Sequence, residues 1–415
     1  MKTSQNHLPS LLSGLLFVTG ALFVFGLALV MGVAALSSLV SGTEIKSEQT
    51  IFLFAFGFQG LILLAAAFFS FQKFLQKSSA DQEVSLSLPI WLILVLALLA
   101  GFSILIGYWI GEFKAVNWFI LPILTIPAVV LPLVVLLMFG TRKLPAGTRW
   151  QTWNVLGLGM TLAPILLFIL EIFVAIVIFI IVVVYILSQP ELAAELEKLS
   201  RQIMILGPNS KATRDLIAPL LTKPSVIVTG LIYVSMLVPA IEEIFKPLGV
   251  WLFASKLQSP AQGFTLGALS GAGYGLIETL NISGQSGDWA TLLFSRIGTG
   301  LLHITTSALM GAAIVLAWRE RRYLRLFGTY LLAILLHGSW NALAVFFSFS
   351  GLSDFFEQPT RLTAMHPAIS IAMAVLTFGL FAILVTTNHK MRRMAAPPLL
   401  EAEVPAENTD AGSTL

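Results

Sequence analysis

Cysteine is absent from the 415 residues, and charged side chains make up only 11% of them. Without thiols there can be no disulfide and no thiolate metal site, and the redox compartment stays open. So low a charge excludes an ordinary soluble domain, in which about 25% of residues are charged. The net charge of +3 is too small to imply a nucleic-acid partner. Apolar residues fill the space, at 57% hydrophobic and a mean hydropathy of +0.90. The fold class this dictates is all-α: a polytopic helical membrane protein whose solvent is the lipid bilayer.

A spanning helix needs about 20 apolar residues. Runs of that kind lie near 11–40, 51–72, 88–110, 115–139, 152–188, 225–254, 262–281, 289–318, 325–349 and 366–388, which predicts ten transmembrane helices. The first run is too long for a cleaved signal peptide, and Lys2 is the only basic residue before it, so it reads as a retained anchor. Basic residues gather in alternate connections: Lys73 and Lys77, then Arg142, Lys143 and Arg149, then Lys256, then Arg319, Arg321, Arg322 and Arg325, then Lys390, Arg392 and Arg393. The intervening connections, such as 41–50 and 281–288, are poor in Lys and Arg. By the positive-inside rule both termini are cytoplasmic, in a multi-pass protein of a bacterial-type plasma membrane.

Residues 1–188 form an N-terminal five-helix membrane region that is chemically plain, with Glu171 as its one buried acid. The 152–188 run would measure about 55 Å as one helix, so it must project from the bilayer or bend. Residues 189–224 form the longest polar connection, on the outer face. Within it Leu192, Leu196, Leu199 and Ile203 recur at helical spacing between charges, which predicts an amphipathic helix lying in the interface or covering an opening. Residues 225–349 hold the chemistry and 350–393 the last span. Residues 394–415, rich in Pro, Ala and Glu, read as a disordered cytoplasmic tail.

An ionisable residue at bilayer depth is expensive and points to function. In the sixth run Glu242 and Glu243 stand side by side, with Lys246 four and three residues on, where it reaches either carboxylate along one helix flank. Pro239 and Pro247 bracket them, and Pro247 removes the hydrogen-bond partner of the Glu243 carbonyl, which predicts a kink. In the seventh run Gly267, Gly271 and Gly275 line one face, inviting a close partner helix, and Tyr274 and Glu278 continue the stripe. His303 follows in the eighth run, and His337 with Asn341 on one side of the ninth. Counted from the span ends at about 1.5 Å per residue, Glu242, His303 and His337 fall at matched depth near the midplane. Motif absences narrow the class. There is no HExxH, no aspartate well inside a span, and no GxSxG nucleophile.

Glu242-Glu243-x-x-Lys246, Tyr274-x-x-x-Glu278, His303 and His337-x-x-x-Asn341, in that order on successive helices, resemble the PrsW-type glutamic intramembrane proteases. These are relatives of the CAAX prenyl endopeptidases and bacteriocin-immunity proteases. The resemblance covers about 225–345. The prenyl-protease branch has arginine five residues after the first motif glutamate. Here Pro247 holds that place, which favours the PrsW side and weakens any case for prenylated substrates. The resemblance implies peptide hydrolysis in the membrane by a glutamate-activated water. Glu242 would be the base and His303 would position the water, while His337 and Asn341 would donate to the oxyanion. Lys246, Glu243 and Glu278 would support them. Family members have also been described as metallopeptidases, so zinc stays open as a cofactor; its ligands would be Glu242, His303 and His337, with one position left for water. The implied substrate is a single-span membrane protein, of the anti-sigma-factor kind. The competing expectation is a transporter or proton-coupled carrier using the same acids as a relay. Its expected mark, an internal repeat, is not seen in the sequence.

Overall fold

The computed structural model describes residues 7–207, 210–221, 223–284, 289–351 and 361–395. Residues 396–415 of the expected tail lie outside this range. Nine of the described helical stretches are long and apolar enough to cross a membrane. Helices suit these runs because, in hydrocarbon, every backbone N–H and C=O must be satisfied within its own segment. In chain order they begin α1 (Leu8–Val40), α2 (Ser47–Phe74), α3 (Ile90–Gly111) and α4 (Lys114–Thr141). A short antiparallel pair, β1 (Glu83–Ser85) with β2 (Pro145–Thr148), closes one end of the bundle.

The fifth run is two helices, α5 (Arg149–Met160) and α6 (Leu162–Leu187), broken at Thr161 with φ −125° and ψ −79°. Pro164 accounts for the break: it has no N–H for the Met160 carbonyl, and its ring would clash there. Thr161 Oγ1 takes up the slack by donating to the Gly157 carbonyl at 2.7 Å. The excess length is thus resolved by a break at Thr161. Beyond it come α7 (Pro190–Leu206) and α8 (Lys211–Leu221). Leu192, Leu196, Leu199 and Ile203 form part of the half-buried face of α7, no residue of which is fully buried. It packs chiefly on α6 and α8.

The sixth run is interrupted twice. α9 (Pro224–Ile232) passes into a π-helical turn, Tyr233–Leu237, then α10 (Val238–Phe245) and α11 (Leu248–Phe253). Pro239 deprives the Ser235 carbonyl of its α-helical partner, and the turn widens just there. Pro247 separates α10 from α11, the kink expected from the sequence. The Lys246 carbonyl left at this kink accepts from Ser270 Oγ at 2.5 Å.

The core is built around α12 (Pro260–Ile282) and α13 (Trp289–Glu320), both buried along most of their length. α14 (Tyr323–Gly351) and α15 (Arg361–Ala395) complete the bundle. α12 is the seventh expected span, and it is the one not among the nine, since glycines, Gln262 and Glu278 interrupt its apolar run. Surrounded by protein, it does not need a lipid-facing surface. Its glycine stripe fits this place: a Cβ at Gly271 would collide with the His303 carbonyl, and one at Gly267 with that of Ser307. Only the missing side chains allow α13 to lie against α12 so closely.

Candidate functional site

α10, α13 and α14 bring Glu242, Glu243, Lys246, His303 and His337 into one cluster, and α12 adds Glu278 and Tyr274. Lys246 and Glu243 are 0% exposed, His303 1%, His337 3% and Glu242 9%. Buried charges persist only when paired and hydrogen-bonded, and here Lys246 is the hub. Its Nζ lies 2.6 Å from Glu243 Oε1, 3.0 Å from His303 Nδ1, 3.2 Å from His337 Nδ1 and 3.3 Å from Glu242 Oε2.

The carboxylates fix the histidine tautomers. Glu278 Oε2 is 2.7 Å from His303 Nε2, so that nitrogen carries the proton and Nδ1 accepts from Lys246. Glu243 Oε1 is 2.8 Å from His337 Nδ1, so His337 is protonated there and its Nε2 keeps a lone pair. That Nε2 faces Glu242 Oε2 at 3.8 Å. His337 Nε2 and Glu242 Oε2 therefore present lone pairs, while that of His303 Nδ1 is engaged by Lys246. In this tautomer His337 offers the cavity an acceptor, and donation to an oxyanion would need a protonated ring.

The two adjacent glutamates have different surroundings. Glu243 is sealed against Lys246 and His337 and is not on the cavity wall. Glu242 lines a cavity of about 230 Å³ with Glu278, Arg296, His303, His337 and Asn341. Both Oε2 atoms are buried without a hydrogen bond, but of the two glutamates only Glu242 lines the cavity. A larger apolar groove of about 550 Å³, between α3, α4 and α13, is remote from this chemistry.

Asn341 Nδ2 donates to the Val234 carbonyl at 2.9 Å, so it ties α14 to the π-helical turn. Asn341→Ala is expected to strand that carbonyl, at a cost of about 1–3 kcal/mol. Thermal unfolding in detergent would register it, whereas an unchanged midpoint would mean the bond is dispensable. Tyr274 stacks edge-on against His303 at 5.1 Å between ring centroids, with its hydroxyl towards Glu242. Glu171, partly buried on α6, is near enough to feel the charges of Glu242 and Glu278, but it does not line the cavity.

Arg296 is the residue that sequence reading missed. Its Nη2 pairs with Glu278 Oε2 at 2.6 Å and its Nε donates to Thr279 Oγ1 at 3.3 Å. The signal was present: Arg296 stands seven residues before His303, two turns back on the same face of an apolar span. Arg296, Glu278 and His303 form a chain in which the carboxylate aims the imidazole. Glu278→Gln is expected to lower activity about 10–100-fold through misorientation of His303. Cleavage rates of the folded variant would test this, and wild-type rates would remove Glu278 from the site.

The same residues suit a metal ion of the zinc type. One donor atom each from Glu242, His303 and His337 lies within 4.8 Å of the others. Each histidine has its second nitrogen against a carboxylate, the arrangement that orients metal-bound imidazoles. Glu242 Oε2 has no hydrogen-bond partner to give up, only the ion pair with Lys246 at 3.3 Å.

A helical membrane protein with a buried cavity walled by glutamate and histidine has the equipment of an intramembrane hydrolase. A family model described as "PrsW family intramembrane metalloprotease" matches residues 147–380, more than half of the chain. This chain belongs to that family and is an intramembrane protease. The match extends beyond the motif region, from β2 and α5 into α15. No curated protein and no solved structure matches the chain. The family assignment decides against the carrier expectation.

Proposed function

We propose that this chain is an endopeptidase that cuts a single-span membrane protein within the bilayer, with Glu242 as the base. The observation that carries the reading is the contrast between two adjacent glutamates. Glu242 lines the cavity and accepts no hydrogen bond at Oε2, while Glu243 is off the cavity wall, held by Lys246 and His337. In the reaction, Glu242 takes a proton from water as the water oxygen attacks the scissile carbonyl carbon. The carbonyl oxygen becomes an oxyanion. The C–N bond then breaks, and the amine leaves with the proton returned by Glu242. The lone pair of His337 Nε2 orients the water, and His303, held by Lys246 and Glu278, packs beside it. The N–H donors on the wall, from Arg296 and Asn341, are the groups placed to meet the oxyanion once Asn341 releases Val234.

A zinc ion held by Glu242, His303 and His337 would supply Lewis-acid polarisation and a more acidic water, with Glu242 then a ligand in place of the base. Glu243 and Glu278 would then hold the ligand rings in place. The charge bias of the connections supports cytoplasmic termini and an outer 189–224 segment. A regulatory substrate of the anti-sigma-factor kind fits this reading.

The test is a panel of single-span reporters coexpressed with the protein, with product termini mapped by mass spectrometry. Cuts near the middle of the span are expected, because counting from the span ends puts Glu242, His303 and His337 near the midplane. Cuts confined to residues outside the span would overturn the reading.

A further inference from the structure

Lys246 is more than an anchor for the glutamates. An ammonium has three protons to give. This one donates to Glu243 Oε1 at 2.6 Å and His303 Nδ1 at 3.0 Å, and is ion-paired with Glu242 Oε2 at 3.3 Å. The second and third belong to the set of donors that would hold a metal. The lone pairs that a metal ion needs are thus already turned towards a cation, one tethered to α10 by its own side chain. Lys246 is 0% exposed, and its backbone is fixed by Ser270 and by its own N–H to the Glu242 carbonyl at 2.8 Å. The ammonium could leave His303 only by changing side-chain rotamer.

We propose that Lys246 competes with a metal ion for His303 Nδ1 and Glu242, and so sets the affinity of the site for metal. With Lys246 in place the site has its own positive charge and remains assembled without metal. A dication entering between Glu242, His303 and His337 meets an ammonium within 3.0 Å of one ligand atom and 3.3 Å of another. It must displace Lys246 towards Glu243, whose Oε1 is the strongest of its contacts. Repulsion at such distances, away from water, is large enough to shift affinity by orders of magnitude. This inference rests on the metal reading of the site, and the experiment separates the two.

The full-length protein, stripped with chelator in detergent, is titrated with Zn²⁺ against a chromophoric chelator. Wild type is compared with Lys246→Met, which keeps length but removes charge and donor protons. The double variant Lys246→Met/Glu243→Gln, which also removes the carboxylate left unpaired, covers the case in which the single variant fails to fold. The expected result is one zinc per chain, bound about tenfold or more tightly in whichever Met variant folds. That binding should be lost when His337→Ala is added. Equal or weaker binding in the Met variants, with wild type still binding one zinc through His337, would overturn the competition and leave the metal site standing. Absence of stoichiometric binding in all variants would overturn both.

Discussion

Glu242→Gln leaves a folded, membrane-inserted protein that cleaves about 10²–10⁴-fold more slowly than wild type. The substitution keeps shape and removes the carboxylate assigned as the base on the cavity wall. Its structural cost is small, because Glu242 Oε2 accepts no hydrogen bond and touches Lys246 only at 3.3 Å. The neighbouring change should behave differently. Glu243→Gln leaves Lys246 buried without its 2.6 Å partner, so its first effect is on the amount of folded protein. Single-turnover cleavage measured beside size-exclusion profiles in detergent separates the two. If Glu242→Gln cleaves at the wild-type rate, the assignment of the base is wrong.

Gly271→Leu is expected to be the most damaging single change to the bundle. A Cβ at this position would overlap the His303 carbonyl, so α12 and α13 must part before the rest of the side chain is placed. Overpacking of this sort costs about 1–3 kcal/mol where side chains can adjust, and more where backbone blocks them. The same displacement carries His303 away from Glu278 and Lys246, so activity falls with stability. Gly230→Ala is the matched control: it has nothing within 4 Å of the added atom, and alanine favours helix by about 1 kcal/mol over glycine. Equal thermal midpoints for Gly271→Leu and wild type would contradict the packing described for the two central helices.

Much of this arrangement was legible in the sequence, for identifiable reasons. Hydropathy gives the spans because lipid leaves the backbone no other choice. The meeting of Glu242, His303 and His337 fits the shared depth expected from the span ends, and the glycine stripe follows from helical periodicity, which is local. The kink at Pro247 was readable for the same reason. Pro164 carried an equally local signal, but the apolar run through Leu162–Leu187 masked it. Arg296 was hidden because its meaning depends on Glu278, a residue on another helix. The tautomers of His303 and His337 were out of reach as well, since they are set by carboxylates on α12 and α10. So was the hydrogen bond from Asn341 to Val234, because a π-helical turn cannot be counted at 3.6 residues per turn.

The pairing of sealed and open glutamates suggests how a charged site survives in a bilayer. Glu243 and Lys246 neutralise one another and hold both histidines by one nitrogen or the other. That leaves Glu242 free to work at the edge of the cavity.

The most direct test is a comparison of membrane-protein N-termini by mass spectrometry, in cells carrying this protein or its Glu242→Gln form at matched levels. New termini inside or beside membrane spans, present only with the intact glutamate, are the predicted result, and they would identify the substrate as well. Identical termini in both strains across several envelope stresses would contradict the account.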